Sequence, residues 1–378
     1  EGRMRVLILE DDAWIADLLR QIVHSLRPQA QISCVGRVEA ALSEWQRSPA
    51  ALVICDWNLP DGPGTRLLEQ IRKQDSQVPL VMITGRADRD SVLEVRPLRI
   101  SAFISKPFQM PKVLECLDRL LPPDAPNQPS SQPLAVSFEE SLRGLAASAL
   151  DMPLQPGTLD RLKALGQQPV DLRQLHNLGH DEPAITARLL AAANSAQYSS
   201  GGTPCLSLAQ ALQTLGAATS MNIILGLGLT PAAELGDGDL CLQAQVQYEQ
   251  IQLLCQRVNT LAGACRLDPA PLHSAALLHR MGELCVLQQA QLWMDNGQPL
   301  GLEQLDRALG SASSELAGRL KQHWRLPNTL RELIGACYAL PTINTRREVI
   351  VMHLAASELS PEPDNNKLAR LRRLAGLS

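Results

Sequence analysis

Residues 51–64 have the sequence ALVICDWNLPDGPG, and this stretch decides the fold class of the first third of the chain. Its first five residues are an uninterrupted apolar run, which is typical of a strand buried on both faces of a parallel sheet. The run ends at Asp56, and the Asn, Pro, Asp and Gly residues that follow predict a turn. Open α/β sheets place their ligand-binding groups at such carboxyl ends of strands. Taken alone, Asp56 is equally well explained as the cap of the next helix.

The stretch is one step in a regular alternation of strands and helices. Apolar runs predict strands at residues 4–9, 31–35, 51–55, 78–84 and 100–105, and helical periodicity predicts helices at 14–26, 39–46, 65–73, 89–96 and 111–121. Such βαβ alternation predicts a doubly wound α/β fold with a parallel five-stranded sheet.

Polar side chains follow four of these strands directly. Asp11 and Asp12 follow the first strand, Asp56 the third, Thr84 the fourth and Lys106 the fifth. We expect these groups to converge, because the carboxyl ends of parallel strands lie at one edge of a sheet. Three clustered carboxylates predict a hard divalent cation, for which Mg²⁺ is the natural choice. A hydroxyl and an ammonium group beside them suit a phosphoryl group transferred onto Asp56.

At these residues the chain resembles a response-regulator receiver domain, over residues 4–121. The resemblance implies a flavodoxin-like strand order 2-1-3-4-5 and Asp56 as the acceptor of a phosphoryl group from a histidine kinase or phosphotransfer protein. It also implies Mg²⁺ bound by Asp12, Asp56 and the backbone carbonyl of Asn58, with Asp11 acting through water.

The same resemblance implies a conformational switch. Phe103 stands three residues before Lys106, where the family has an aromatic residue that turns inward when Thr84 moves toward the phosphate. Plain core packing is the alternative explanation for Phe103. The irregular segment at residues 96–100, which contains Pro97, departs from the family pattern.

A proline-rich segment at residues 122–136 predicts a linker between the receiver domain at 1–121 and a second domain at 137–378. No alternating strand pattern follows, and the second domain is predicted to be all-α. The predicted helices lie at residues 138–150, 158–165, 184–193, 208–215, 221–229, 244–264, 271–291, 302–309, 314–323, 330–339 and 346–359.

Residues 182–196 and 208–216 resemble the HDOD domain, a helical relative of the HD metal phosphohydrolases. Glu182-Pro183 stands where that family has Asp-Pro, and the resemblance extends over roughly residues 137–340. Asn194 and Ser195 are equally well explained as a hydrogen-bonding pair at a helix end.

The metal ligands of the HD relatives are largely missing from this domain. His279 matches the family histidine, but Arg280 replaces the aspartate, and an arginine cannot ligate a cation. Cys337 and Tyr338 stand where the relatives have paired histidines. His279 is therefore interpreted as a core residue, and no cofactor is expected in this domain. His176 and His180 have the i,i+4 ligand spacing, but without an evident third ligand they are interpreted as surface residues.

Composition narrows the function classes. The net charge is −4, all of it carried by residues 122–378, so a basic phosphate-binding surface is missing and nucleic-acid binding is disfavoured. Nine cysteines without metal-ligand spacing, and no long apolar run or leader pattern, predict a cytoplasmic protein without a membrane partner. The basic segment 367–377 is expected to pack on its domain.

The sequence thus predicts a two-component response regulator without an enzymatic output domain, which acts through a protein partner of its HDOD domain. A homodimer remains open. The alternative functions are an active HD-type phosphohydrolase, which would act on a cyclic dinucleotide or nucleotide, and a nucleic-acid-binding regulator.

Overall fold

The computed structural model describes residues 4–85, 95, 97–106, 108, 110–123, 136–166, 169–199, 202–342 and 345–377. The predicted helix at 89–96 and the predicted linker at 122–136 lie largely outside these residues, as does Pro107. The chain divides into two compact units, one of residues 1–128 with 221–231 and the other of residues 129–220 with 232–378.

The first unit is built on the predicted parallel sheet. Its long strands are β1 (Arg5–Leu9), β2 (Gln31–Val35), β3 (Leu52–Asp56), β6 (Leu80–Thr84) and β7 (Ala102–Ser105), and its short strands are β4 (Asn58–Leu59) and β5 (Gly62–Pro63). The long strands pair in the order β2-β1-β3-β6-β7, all parallel. Because β4 and β5 pair only with each other, β6 and β7 are the fourth and fifth strands of the large sheet along the chain. The predicted order 2-1-3-4-5 is therefore confirmed.

Helices cover both faces of this sheet. They are α1 (Ala13–Leu26), α2 (Val38–Arg47), α3 (Thr65–Gln74) and α4 (Met110–Leu120). Alternate strand residues face opposite sides, so Val6 and Ile8 pack in the same cluster as α1 and α4, whereas Leu7 and Leu9 pack with α2 and α3. Every residue of β3 and β6 is buried, as expected for strands covered on both faces.

The turn after β3 is fixed by close backbone contacts. A Cβ on Gly64 would lie 2.0 Å from the Asp56 carbonyl oxygen, so the chain can return past the strand end only with glycine there. Asp61 accepts hydrogen bonds from the backbone N–H groups of Val38 and Glu39 at 2.9 and 3.1 Å. This carboxylate therefore caps α2 and ties the turn to the next layer.

The described residues from 136 onward form helices and no strand, as predicted. A 3₁₀ turn at Ala147–Ala149 accompanies the α-helices. The α-helices are α5 (Phe138–Gly144), α6 (Thr158–Leu165), α7 (Leu172–Gly179), α8 (Pro183–Ala193), α9 (Leu208–Gly228), α10 (Gly238–Ala264), α11 (Pro269–Leu278), α12 (Met281–Asp295), α13 (Leu302–His323), α14 (Asn328–Ala336), α15 (Arg347–Glu358) and α16 (Asn365–Leu374).

Several predicted helix boundaries are wrong. Residues 138–150 are not one helix, because α5 ends at Gly144, α10 begins at Gly238 instead of residue 244, and α7 was not predicted. Residues 271–291 form two helices, because the chain leaves α11 at His279 and α12 begins after Arg280, whose φ and ψ are −105° and 21°. Residues 302–323 form one helix through a Gly-Ser-rich stretch that was predicted to break it. There Ser313 Oγ donates to the Leu309 carbonyl at 2.7 Å, so its hydroxyl is satisfied within the helix.

Two other sequence predictions on the second half are confirmed. Gly216, with φ of 76°, interrupts α9 between its two predicted helical halves. The basic segment forms α16, which packs on its unit: Leu371 is 3% exposed, and Arg372 pairs with Glu358 at 2.8 Å. Among the described residues, no helix combines the length and the apolar character needed to span a membrane.

Candidate functional site

The carboxyl edge of the parallel sheet brings the predicted polar residues together. Asp56 is the last residue of β3 and pairs in register with Ile83. Thr84 is the last residue of β6 and pairs with Ser105, directly before Lys106. The Lys106 N–H donates to the Thr84 carbonyl at 2.9 Å, so the two strand ends are held side by side.

Lys106 bridges two carboxylates at this edge. Its Nζ lies 2.8 Å from Asp56 Oδ2 and 3.1 Å from Glu10 Oε2. Burial by itself lowers the pKa of Lys106, but the charges of Glu10 and Asp56 outweigh it, so the net pKa is raised. Lys106 therefore stays charged and holds the Asp56 carboxylate in one position. The other oxygen of Asp56 accepts from the Trp57 N–H at 2.6 Å.

Glu10, for which the sequence predicted no role, is the third charged side chain at this edge, beside Lys106 and Asp56. One carboxylate oxygen from each of Glu10, Asp11 and Asp56 lies within 4.8 Å of the other two. Glu10 is 3% exposed, and both burial and the neighbouring Asp56 raise its carboxyl pKa. Three carboxylates at this spacing are the hard oxygen ligands that Mg²⁺ prefers, and a divalent cation relieves their repulsion. The donor set therefore fits the predicted metal.

The predicted metal role of Asp12 is corrected by the structure. Its Oδ1 accepts from the N–H groups of Trp14 and Ile15 at 2.8 and 3.3 Å, so Asp12 is the N-cap of α1. Its own N–H donates to Glu10 Oε1 at 3.1 Å. The acidic pair that faces the site thus moves by one residue, from Asp11 and Asp12 to Glu10 and Asp11. Their position immediately after β1 is the sequence signal for this pair.

The remaining predicted residues lie around this cluster. Asn58 is exposed in β4, two residues beyond Asp56. Thr84 is only 3% exposed at the end of β6, whereas Phe103 on β7 is 41% exposed. The Phe103 ring is therefore not a core residue in this conformation, and plain core packing does not explain it.

In the second unit, an arginine side chain, Arg280, stands where the HD relatives have a metal-binding aspartate. Arg280 pairs with Glu283 at 3.3 Å and lines a cavity of about 620 Å³ together with His279, Cys337 and Tyr338. His279 is 8% exposed, and its Nδ1 lies 2.6 Å from the Ala276 carbonyl. The structure thus places His279 in the core, and the guanidinium beside it repels a metal ion.

Burial of His279 makes the free energy of unfolding of this unit depend on pH. Burial lowers the pKa of its imidazole from 6.5 to about 4. The folded pKa lies below the unfolded one, so this stabilising contribution is complete above pH 6.5 and is lost as the pH falls. We expect the free energy of unfolding to drop by about 2 kcal/mol between pH 6.5 and 5 through this residue.

Urea denaturation at several pH values measures this slope. In His279→Gln the amide can still donate to the Ala276 carbonyl, and the His279 share of the slope should vanish. The matched change His323→Gln removes an exposed histidine but keeps His279, so the His279 share of the slope should remain. A wild-type slope in His279→Gln would contradict the assignment.

Two of the HDOD-like motif residues, Asn194 and Glu182, have structural hydrogen bonds, whereas the buried Ser195 Oγ has no hydrogen-bond partner among the described residues. The Asn194 side chain donates to the Leu190 and Cys205 carbonyls and accepts from the Cys205 N–H, which supports its interpretation as a helix-end residue. Glu182 is fully buried, and its Oε2 accepts from the Gln155 N–H and the Thr158 hydroxyl at 3.0 and 2.9 Å.

A third histidine, His273, lies beside His180 of the pair His176 and His180, and the sequence did not predict it there. His273 of α11 stacks on His180 with ring centroids 4.4 Å apart, and the ring centroids of His176 and His180 are 5.1 Å apart. No sequence signal links His273 to the pair, because 93 residues separate it from His180.

Comparisons with known proteins match two domain families along the chain. Residues 6–118 match the response regulator receiver domain, and residues 152–340 match the HDOD domain. The chain is 28% identical over 122 residues to the chemotaxis protein CheY-3 of Vibrio cholerae, which covers 31% of this chain and 91% of that protein.

Solved structures include similar chains. The non-phosphorylated HemR receiver domain from Leptospira biflexa is 26% identical, with a TM-score of 0.30, over 33% of this chain and 99% of that one. The MmoQ response regulator from Methylococcus capsulatus is 18% identical, with a TM-score of 0.45, over 60% and 94%. The HDOD match spans half of the sequence and follows the receiver match along the chain. The chain therefore belongs to the HDOD family, and in it a response regulator receiver domain precedes the HDOD domain.

Proposed function

We propose that Asp56 accepts a phosphoryl group from a histidine kinase or phosphotransfer protein, and that the receiver thereby regulates a non-catalytic HDOD domain that binds a protein partner in the cytoplasm. The observation that carries the proposal is the Lys106 ammonium group 2.8 Å from Asp56 and 3.1 Å from Glu10. This arrangement holds a carboxylate in place at the edge of the sheet where receiver domains carry their acceptor.

The transfer step takes place between the Asp56 carboxylate and a phosphodonor. An oxygen of the Asp56 carboxylate attacks the phosphorus, an acyl phosphate bond forms, and the bond from phosphorus to the donor's leaving group breaks. Lys106 keeps Asp56 oriented and neutralises charge on the phosphoryl oxygens. Thr84, at the neighbouring strand end, would donate its hydroxyl to a phosphoryl oxygen.

The metal site belongs to the same proposal. Glu10, Asp11 and Asp56 would hold Mg²⁺, with the Asn58 carbonyl as the further ligand that the family resemblance implies. When bound, the ion supplies positive charge that stabilises the transferred phosphoryl group. Phosphorylation would then bias Thr84 and Phe103 toward their second conformation, which a protein partner reads.

A pair of carboxamide substitutions tests this metal assignment. Asp11→Asn removes a charge from the cluster and should weaken Mg²⁺ binding by at least about tenfold. Asp12→Asn should change it by less than about twofold, because asparagine caps a helix as well as aspartate does. Trp57 follows Asp56 directly, so a fluorescence titration with Mg²⁺ measures both affinities. A larger loss in Asp12→Asn than in Asp11→Asn would contradict the assignment.

The absence of catalysis in the HDOD domain is also part of the proposal, and the Arg280 guanidinium supports it. We expect no Mn²⁺-dependent hydrolysis of a phosphodiester such as bis(p-nitrophenyl) phosphate by the full chain. Turnover that disappears in His279→Gln would overturn this expectation and favour the HD-type phosphohydrolase.

A further inference from the structure

A cluster of metal-ligating side chains lies in the second unit, outside the position that matches the HD metal centre. It consists of His180 and Asp181 at the end of α7 and His273 on α11, and one ligand atom from each lies within 4.8 Å of the other two. His180 Nδ1 and Asp181 Oδ1 are 3.1 Å apart. In a tetrahedral site with zinc–ligand bonds of about 2.0 Å, neighbouring ligand atoms are ~3.3 Å apart, so this pair already has the required spacing.

The backbone around the cluster is held in place. Asp171 and Gln174 form a capping box at the start of α7, and the His180 N–H donates to the His176 carbonyl at 2.9 Å. A Cβ on Gly179 would lie 2.8 Å from Ile185 Cγ2, so the end of α7 packs closely on α8. Ligand positions on such fixed helix ends cost little to order when an ion binds.

A hydrogen bond to the backbone orients the His273 ring. Its Nε2 lies 3.2 Å from the His180 carbonyl oxygen, and because a carbonyl only accepts, Nε2 carries the hydrogen. The lone pair is then on Nδ1, where the Asn259 amide now donates at 3.2 Å. Metal-binding histidines have this arrangement, with the non-ligating N–H bound to a carbonyl, and the amide is the partner that an ion would displace.

The cluster is accessible to a small ion from solvent. His180 and His273 line two cavities, of about 850 and 310 Å³, and Asn259 lines both as well. The Asp181 side chain is 86% exposed and the His180 side chain 44%. An ion can therefore enter without local unfolding of the helices.

We propose that His180, Asp181 and His273 bind one divalent transition-metal ion of the zinc class, and that the ion links α7 to α11. Two imidazoles and a carboxylate are typical ligands of Zn²⁺, Co²⁺ and Ni²⁺, and Mg²⁺ is not expected to compete at such nitrogen ligands. His176, one turn before His180, is positioned to add a further imidazole. The ion ties together two segments 93 residues apart in sequence, and so it stabilises the folded unit.

Calorimetric titration of the untagged full chain with Zn²⁺ tests the proposal. Excess Mg²⁺ is present throughout, so that the carboxylates of Glu10, Asp11 and Asp56 do not compete for the added ion. We expect one Zn²⁺ per chain and a higher unfolding temperature with Zn²⁺. His180→Ala and His273→Ala should each weaken binding by at least about tenfold and remove the thermal shift. The double variant should lose little more than either single variant, because the two side chains share one ion.

The matched control is His323→Ala, which removes an exposed histidine outside the cluster and should leave affinity and thermal shift unchanged. Circular dichroism of each variant without metal verifies that the fold is intact. Three results would overturn the proposal: no stoichiometric Zn²⁺ binding, equal losses in the control and cluster variants, or unchanged affinity in both His180→Ala and His273→Ala. Phosphorylation of Asp56 does not depend on this metal site. Failure of the metal-site proposal can therefore be distinguished from failure of the proposed function.

Discussion

Replacing Asp56 by asparagine is expected to abolish labelling of the chain by acetyl phosphate. The wild-type chain should gain one phosphoryl group in the presence of Mg²⁺, visible by intact-protein mass spectrometry. An amide oxygen is a far weaker nucleophile than a carboxylate oxygen. Asp56 itself lies at a strand end and contacts Lys106 at 2.8 Å. We therefore expect loss below the detection limit, the largest effect of any single substitution on this chemistry.

The matched control is Asp61→Asn, in the same turn. Asp61 caps α2 by accepting from the Val38 N–H at Oδ1 and from the Glu39 N–H at Oδ2, and asparagine keeps one of these two bonds through its amide oxygen. This variant should be labelled like the wild type. Equal labelling of Asp56→Asn and the wild type would refute the assignment of the acceptor, and loss of labelling in Asp61→Asn would show that the assay reports on the fold of the turn.

The Asp56→Asn variant also tests whether phosphorylation of the receiver changes protein binding by the chain. If phosphorylation controls partner binding, a protein captured by the phosphorylated wild-type chain should be captured differently by Asp56→Asn under the same conditions. Identical capture by both would contradict the proposed regulation without bearing on the chemistry of the acceptor.

The second large effect is expected from Gly282→Ala in α12. A Cβ at this position would lie 1.9 Å from the Ser313 carbonyl oxygen and 2.7 Å from its carbon, so α12 and α13 approach each other backbone to backbone. Alanine favours a helix over glycine by only about 1 kcal/mol, whereas forcing the helices apart costs about 3 kcal/mol or more. We expect a clear net loss in the free energy of unfolding, measured by chemical denaturation of the full chain.

Gly318→Ala is the control for this prediction. Gly318 lies in α13, the helix that α12 contacts at Gly282, and a Cβ there would meet nothing within 4 Å. The substitution should stabilise the chain by about 0.5–1 kcal/mol, because alanine loses less conformational entropy than glycine on folding. If both substitutions lowered the free energy of unfolding, steric contact could not be the cause at Gly282, because a Cβ at Gly318 meets no neighbour among the described residues.

The geometry of parallel sheets explains why much of the first site was predictable. Once residues 51–56 are recognised as a buried strand, the other strand ends must lie at the same edge, so the positions of Asp56, Thr84 and Lys106 follow. The assignment of the acidic pair failed because it depends on where α1 begins. Asp12 precedes that helix directly and turns to cap it, which leaves Glu10 to face the site.

In the second half, local propensity predicted most of the helices but misplaced several of their boundaries. Whether a Gly-Ser-rich stretch continues a helix, as at Ser313, depends on what packs against it. Similarly, His279 and Arg280 interrupt an apolar run that helical periodicity alone would continue.

The sequence by itself determined the α/β fold of the first unit, the all-α second half and the edge that carries Asp56, because these follow from patterns within a few residues of one another. Only the tertiary structure decided that Glu10, and not Asp12, faces Lys106. It alone brought His273 against His180, since packing of α11 beside α7 joins residues that no local pattern connects. Contacts between segments distant in sequence are set by the sum of many packing interactions, and no single motif encodes them.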